Sequence, residues 1–370
     1  MRDETKAIHV PRVRSAGGIS PAIQLATTYE HGPAAEDLHG FQYIRGGNPN
    51  VADLETRLAA VDGADGAVAF GSGMAAVSAL LSSLSPGTRI LFHRSLYFDV
   101  RTLAQKLLPN WGLQCDSIDL TDVAARDAAF RRGVDLVWFE TPSNPLIDVL
   151  DIQAICTQAE AHGAAVLVDG TFAPPAVQKP LDLGATYVMH SLTKYIGGHS
   201  DVQGGSIAYR GDESRREALT RIRRLTGGVL APFNAWLISR GLQTLHCRME
   251  RHCANALAVA EALEGMSAVE SVLYPYLPSH PGFEIAKRQM ASGGGMLSVQ
   301  MSGGKEAALK LASRVKLFVN ATSLGGVESL IEHRASVEGP STTTPDNLLR
   351  LSIGLENPAD LIDDLVSALD

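Results

Sequence analysis

His190-Ser191-Leu192-Thr193-Lys194 sets one lysine and two alternating hydroxyls behind a short apolar run, Ala185-Thr186-Tyr187-Val188-Met189, and ahead of Gly197-Gly198. A lysine amine can hold an aldehyde as a Schiff base and, once released, shuttle protons. Ser191 and Thr193 flank Leu192, so their hydroxyls can share a face that suits a phosphate. Alone, such a lysine is an ordinary surface residue after a strand; its companions give it chemistry. Asp169 closes the run Ala165-Val166-Leu167-Val168, which reads as a buried parallel strand with an acid at its C-terminal end, where α/β sheets bind ligands. A carboxylate there can pair with a protonated pyridine nitrogen and make the ring an electron sink. Gly71-Ser72-Gly73-Met74 opens a helical stretch from Met74 to Leu84. Glycines at a helix start admit backbone N–H groups to a phosphate, and the helix dipole favours the anion. A phosphate cradle, an acid for a ring nitrogen and a lysine for an aldehyde are the three handles of pyridoxal 5′-phosphate (PLP).

The elements that must position these groups follow from apolar spacing. Val51 to Val61 has helical periodicity, Ala67 to Phe70 is a strand feeding the glycine turn, and Arg89 to Phe92 is the next strand. Val134 to Phe139 is a continuous apolar strand ending at Glu140-Thr141-Pro142-Ser143-Asn144-Pro145. Two prolines hold that loop, and the Asn144 amide can reach both the PLP phenolic oxygen and a substrate carboxylate. Ile152 to His162 is helical. Strand-helix alternation up to about residue 210 predicts a doubly wound, mostly parallel sheet of the α/β class. Pro232 to Leu263 reads as two helices, or one kinked at Gly241. Met296 to Met301 is a strand, Leu309 to Leu317 a helix, and Ser323-Leu324-Gly325-Gly326 a loop. Leu349 to Ile353 is a strand carrying Arg350, whose planar fork suits a carboxylate. The expected divisions are an N-terminal arm at 1–45, a large PLP-binding domain at 46–235 and a smaller C-terminal α/β domain at 236–370.

The chain has 370 residues, 45% of them hydrophobic and 19% charged, the balance of an ordinary globular enzyme. A net charge of -8 argues against a nucleic-acid surface, and the arginines between Arg215 and Arg224 read as one solvated helix face. No apolar run reaches membrane-spanning length and Met1 to Arg14 lacks a signal peptide's apolar segment, so a cytoplasmic protein without membrane partners is expected. The 4 cysteines form no CxxC pair. His246, Cys247, Glu250, His252 and Cys253 crowd together, but the polar side of an amphipathic helix accounts for them and no metal is expected.

Several longer motifs stand together: Tyr43-x-Arg45-x-Gly47-Asn48-Pro49, Gly71-Ser72-Gly73-Met74-Ala75-Ala76, Glu140 to Pro145, Asp169-x-Thr171-Phe172, His190-Ser191-x-Thr193-Lys194-Tyr195, Ser323 to Gly326, and Leu349-Arg350-Leu351-Ser352-x-Gly354-Leu355-Glu356. In this combination, from about Ile19 to Leu369, the chain resembles the PLP-dependent trans-sulfuration enzymes. These comprise cystathionine γ-synthase, cystathionine γ-lyase, cystathionine β-lyase, methionine γ-lyase and the O-acylhomoserine sulfhydrylases. The resemblance implies fold type I and a carbon–sulfur lyase or γ-replacement transferase acting at Cγ of a small sulfur-containing amino acid. A β-lyase, methionine γ-lyase or sulfhydrylase is the alternative; an aminotransferase and a non-catalytic PLP-fold protein are further readings. By resemblance Tyr97 stacks on the cofactor ring, Tyr43 and Arg45 bind the phosphate of a neighbouring subunit, and Gly73, Met74, Ser191 and Thr193 form the rest of the cradle. Asn144, Arg350 and the Ser323 backbone take the substrate carboxylate, while Lys194, Asp169 and Tyr97 carry the chemistry. A homotetramer built of dimers with shared sites is implied. The sequence departs from the family pattern at Ile44, at Gly170 (commonly Asn) and at Thr322 (commonly Glu in γ-synthases and γ-lyases). Arg101 falls four residues after Tyr97 instead of five, and the Arg334 to Asn347 segment is short. Thr322 leaves the distal ammonium of cystathionine without the expected carboxylate.

Overall fold

Seven strands form one sheet: β1 (Gly66–Phe70), β2 (Arg89–His93), β3 (Gln114–Ile118), β4 (Leu136–Glu140), β5 (Ala165–Asp169), β6 (Tyr187–Ser191) and β7 (Gly205–Tyr209), in the order β1-β7-β6-β5-β4-β2-β3. Neighbours run parallel except at β7, which is antiparallel to both β1 and β6. The structure is a computed structural model that describes residues 1–9, 17–211, 213–340 and 342–369. The stretch of the N-terminal arm at 10–16 therefore lies outside the described residues.

Side chains alternate across this sheet, and both faces are dry. Val137, Phe139, Val166, Val168 and Val188 pack on one face with Leu54, Leu58 and Val61 of the helix Pro49–Asp62. Leu136, Trp138, Leu167, Tyr187 and Met189 pack on the other with Ala76, Val77 and Leu80 of the helix Gly73–Ser82. The same alternation delivers Glu140, Asp169 and Ser191, at the C-terminal ends of β4, β5 and β6, to the face that the helix Gly73–Ser82 covers. Register sets them side by side, with Glu140 opposite Asp169 and Asp169 opposite Met189.

A second sheet follows in sequence: β8 (Val269–Leu273), β9 (Met296–Met301), β10 (Val319–Asn320), β11 (Leu330–His333) and β12 (Leu348–Ser352), in the order β10-β11-β12-β9-β8. It is antiparallel except between β10 and β11. β12 carries Arg350 and pairs it with Glu332 on β11.

Between the sheets Pro232–Leu242 and Leu245–Leu263 are two separate helices. A Cβ at Gly241 would lie 2.2 Å from the Gly197 carbonyl oxygen, so the first helix ends pressed against the segment after Lys194. Arg248 fixes that contact, its Nη1 donating to the Tyr195 carbonyl at 2.6 Å and its Nη2 to the Gly241 carbonyl at 2.8 Å. The helix expected over Leu309 to Leu317 runs instead from Gly304 to Arg314. Its apolar spacing continues, but the Asp364 carboxylate accepts the Lys316 and Leu317 N–H groups and draws the chain out of the helix. The arm contains a short helix, Asp3–His9, that apolar spacing missed because seven residues give barely two turns.

Candidate active site

Lys194 sits just past β6, in a turn whose N–H and C=O groups are used locally: its own N–H donates to the Ser191 carbonyl, and its carbonyl accepts from Gly198. Its Nζ donates to the Ser323 hydroxyl at 2.6 Å. Ser323 adopts φ +85°, a left-handed conformation that costs a non-glycine residue about 1–3 kcal/mol and persists where the surroundings impose it. The next turn is equally constrained, since a Cβ at Gly325 would stand 2.6 Å from the Tyr195 nitrogen. Thus the Ser323 to Gly326 loop is laid directly on the lysine turn.

Arg350 reaches the same place from β12. Its Nη1 donates to Asn144 Oδ1 at 3.0 Å, its Nη2 to the Ser323 carbonyl at 3.0 Å, and Nη2 also meets Glu332 Oε2 at 2.6 Å. Asn144 and Ser323, expected to help hold a substrate carboxylate, are therefore also the groups that aim the guanidinium. Burial pulls Arg350 down to about 10, which leaves it charged at neutral pH. Burial, with Arg350 beside it, brings the Lys194 amine down to about 8, although Glu332 opposes the shift. A lysine so placed is a neutral nucleophile over a far wider pH range than a solvated one.

On the opposite wall Asp169 is buried, and its Oδ1 accepts the Thr171 N–H at 2.9 Å. Burial raises its pKa; the hydrogen bonds from Thr171 and the nearby His190 act against that. Glu140 lies alongside and is raised well above the carboxylate range by burial and by Asp169. Its Oε1 accepts the Tyr97 N–H at 2.5 Å and its Oε2 the Asn144 N–H at 3.3 Å. Glu140 thereby ties together two predicted site residues that lie far apart in sequence. The Tyr97 phenol is pushed up to about 12 by burial and by its hydrogen bond to Asp99. Gly170 lies close over the His190 ring: a Cβ there would come 2.7 Å from it, and the ring is fully buried and bonded to Asp62 at 3.0 Å.

Gly73, Met74, Tyr97, Asn144, Asp169, Ser191, Thr193, Lys194, Ser323 and Arg350 all line one cavity of about 310 Å³. Tyr43 and Arg45 do not. They lie in a separate surface hollow with Arg216, Arg223 and Arg224, where Arg45 donates to the Arg224 carbonyl at 3.1 Å and Tyr43 is 51% exposed. Sequence reasoning missed Glu140, Glu332 and Arg334. Glu140 opens a motif already singled out. Arg334 is paired locally, with Glu332 and Glu338, but nothing in the sequence places it over the Tyr97 ring or sets Glu332 against Arg350. Arg101 is turned out of this cavity towards Glu338, at 2.9 Å, and Thr343, at 2.9 Å.

The profile of the Cys/Met metabolism PLP-dependent enzymes matches residues 4–370. The chain belongs to this family. It is 46% identical to the cystathionine γ-synthase of Mycobacterium tuberculosis over 373 residues, covering 99% of this chain and 96% of that one. It is 40% identical to the cystathionine β-lyase of Lactococcus lactis over 377 residues, with 99% and 98% covered. The solved cystathionine γ-synthase of Xanthomonas oryzae in complex with cystathionine superposes with a TM-score of 0.95 at 36% identity, covering 100% of this chain and 98% of that one. The chain is a PLP-dependent enzyme of the trans-sulfuration family, with the α/β fold of its relatives.

The cavity of this PLP-dependent enzyme fits its cofactor. In the first turn of the helix Gly73–Ser82, the Gly73 and Met74 N–H groups have no intrahelical acceptor, and the Ser72 side chain caps only Ala75. A Cβ at Gly73 would crowd Met189 at 3.1 Å and Ser191 at 3.3 Å, filling the cradle from below. Among the described residues Asp169 is hydrogen-bonded only by Thr171, with the His190 ring near it, so this buried carboxylate is free to pair with a ring N–H⁺. Thr193 divides its hydroxyl between the Gly204 carbonyl, at 3.3 Å, and the Gly204 N–H, at 3.1 Å, which orients it at the cavity wall.

Proposed function

We propose that the chain acts at Cγ of a homoserine-derived amino acid, joining or breaking a C–S bond in the manner of a cystathionine γ-synthase or γ-lyase. When bound, PLP supplies an electrophilic aldehyde and a protonated ring able to take up electrons released at the substrate's Cα. Asp169 holds the proton at the ring nitrogen. The first-turn N–H groups of Gly73 and Met74, with the Ser191 and Thr193 hydroxyls, take the phosphate. Arg350, aimed by Asn144, Ser323 and Glu332, receives the α-carboxylate and so fixes which Cα bond faces the lysine. The Lys194 amine, near neutral pKa, accepts the Cα proton and returns it elsewhere on the carbon chain. Tyr97, its phenol pushed up to about 12, keeps its proton at neutral pH and can hydrogen-bond the thiolate or carboxylate that leaves Cγ.

The observation that carries this reading is Lys194 Nζ held 2.6 Å from Ser323, in one cavity with Asp169 and Arg350. The likeness to a γ-synthase over nearly the whole chain favours Cγ over Cβ. Tyr43 and Arg45 support assembly: they carry phosphate-binding chemistry yet lie outside their own chain's cavity, so we place them in a neighbour's site. The active unit is then at least a dimer, within a tetramer of two dimers. The test is to supply PLP-loaded protein with an O-acyl-L-homoserine and L-cysteine. Formation of L-cystathionine, or of 2-oxobutanoate when cysteine is omitted, supports the reading. Failure of both reactions, with no 2-oxobutanoate released from L-cystathionine either, overturns it.

A further inference from the structure

His190 and Asp62 are buried close to the cavity, but neither lines it. Side chains alternate along β6, so Met189 and Ser191 face the cavity while His190 faces the helix Pro49–Asp62. Its Nε2 lies 3.0 Å from Asp62 Oδ1, and both side chains are 1% exposed. Asp62 is the last residue of that helix, where a carboxylate opposes the helix dipole; buried there, it calls for a cation. A doubly protonated His190 ring supplies one. The ring also lies against Gly170, its Nδ1 3.2 Å from where a Cβ would stand. Burial works against the charged ring, but Asp62, Asp169 and the Gly170 backbone outweigh it and raise its pKa. His190 thus stands as a cation on one side of the end of β5, and Asp169, the residue before Gly170, projects from the other. Burial raises the Asp169 pKa, and His190 is the cation that acts against this.

We propose that Asp62 and His190 form a buried charge pair that works through the end of β5 to keep Asp169 ionised, and so sets how tightly the chain holds the protonated ring of its cofactor. Both are positioning residues, acting through Asp169 without reaching the cavity. Charge alternates across the strand ends: Asp62 negative, His190 positive, Asp169 negative, with the ring N–H⁺ next in line. Without the imidazolium, burial leaves Asp169 to keep its own proton, and a neutral carboxyl offers the ring nitrogen no charge. The proposal rests on Asp169 holding the ring nitrogen and is independent of whether the C–S bond breaks at Cγ or Cβ.

The test is a cycle of variants read by PLP titration. Asp62→Asn/His190→Gln removes both buried charges together and leaves neither alone in the interior. At pH 7 this paired variant should bind PLP with a Kd about fivefold or more above wild type. The gap should narrow as pH rises, because losing the cation raises the Asp169 pKa and higher pH restores the carboxylate. The titratable groups facing His190 are Asp62 on the helix and Asp169 on β5, with Glu140 on β4 beside Asp169, and of these only Asp62 is altered. In an Asp169→Asn background the same two substitutions should change Kd by less than about twofold, since no carboxylate remains to be charged. A pair that merely ties the helix to β6 would raise Kd equally in both backgrounds and at every pH, and that result overturns the proposal. So does a Kd within about twofold of wild type in the paired variant at pH 7. An unchanged Kd in Asp169→Asn alone removes Asp169 from the ring nitrogen, and the proposal falls with it. Nitrogen NMR of the wild-type chain gives a check that needs no variant to fold: both nitrogens of the His190 ring should be protonated at pH 7, and a neutral ring overturns the proposal.

Discussion

Replacing Asp169 with Asn should push the free and PLP-loaded proteins in opposite directions. In the free chain the carboxylate is buried at the end of β5, with the Thr171 N–H at 2.9 Å and Glu140 beside it, and burial raises its pKa above the unfolded value of 3.8. A raised carboxyl pKa means that the folded state binds the proton more tightly than the unfolded state. The stability this contributes is complete below pH 3.8 and is lost as pH rises through the folded pKa. At neutral pH the charged group is therefore a burden, and the amide, which keeps an acceptor for Thr171, removes it. The free variant should melt above free wild type at pH 7, and the gap should close as pH approaches 4. With cofactor bound the balance reverses, because a charge-assisted hydrogen bond of about 1.5–3 kcal/mol is lost. At 1.4 kcal/mol per decade, Kd for PLP rises about 10- to 150-fold. Turnover should fall by about two powers of ten, the neutral ring being a poorer electron sink. Calorimetric melting of both forms between pH 4 and 7, with an absorbance titration for Kd, reads all of this. A free variant that melts below wild type at pH 7, with an unchanged Kd, would refute the electrostatic account of Asp169.

Lys194→Ala should lose covalent attachment of PLP and nearly all turnover; mass spectrometry after borohydride treatment shows whether any other lysine substitutes. In the free protein the rate of PLP capture should rise with pH and level off above about 8, because the amine is protonated and unreactive below that value. A rise continuing towards 10.5, the ordinary lysine value, would mean that burial does not act on Lys194 as described. Mixing Arg45→Ala with Lys194→Ala chains should restore activity, since a mixed dimer holds one site with both defects and one with neither. Confirmed mixed dimers without activity would place Arg45 in its own chain's site.

How far the sequence could be read depended on whether the deciding partner was local. β5 was legible to the residue because four apolar residues end in one buried acid, and β9 because its apolar pattern follows a triple glycine. β3 was not: Gln114-Cys115-Asp116-Ser117 is a largely exposed edge strand whose polar residues carry no apolar period. β7 was hidden too, since Gly205-Ser206-Ile207-Ala208-Tyr209 is short, and its antiparallel insertion between β1 and β6 is set by tertiary pairing. In the site, Lys194, Asp169 and Arg350 were legible because each chemistry has few eligible side chains. The couplings were not. Lys194 to Ser323, Arg350 to Asn144 and Tyr97 to Glu140 each span two elements; Glu332 gains meaning only when β11 is laid beside β12, and Arg334 only when its guanidinium is seen over the Tyr97 ring.

The most direct test of the account is which C–S bond of L-cystathionine the PLP-loaded protein breaks. Cleavage at Cγ, with the α-carboxylate on Arg350 and Lys194 moving the proton from Cα, releases L-cysteine, 2-oxobutanoate and ammonia. Cleavage at Cβ releases L-homocysteine, pyruvate and ammonia. Chromatographic separation of the two keto acids, with wild type and Lys194→Ala side by side, gives the answer. The account predicts 2-oxobutanoate from wild type and neither acid from the variant. Pyruvate as the product, or an unchanged yield from Lys194→Ala, would contradict it.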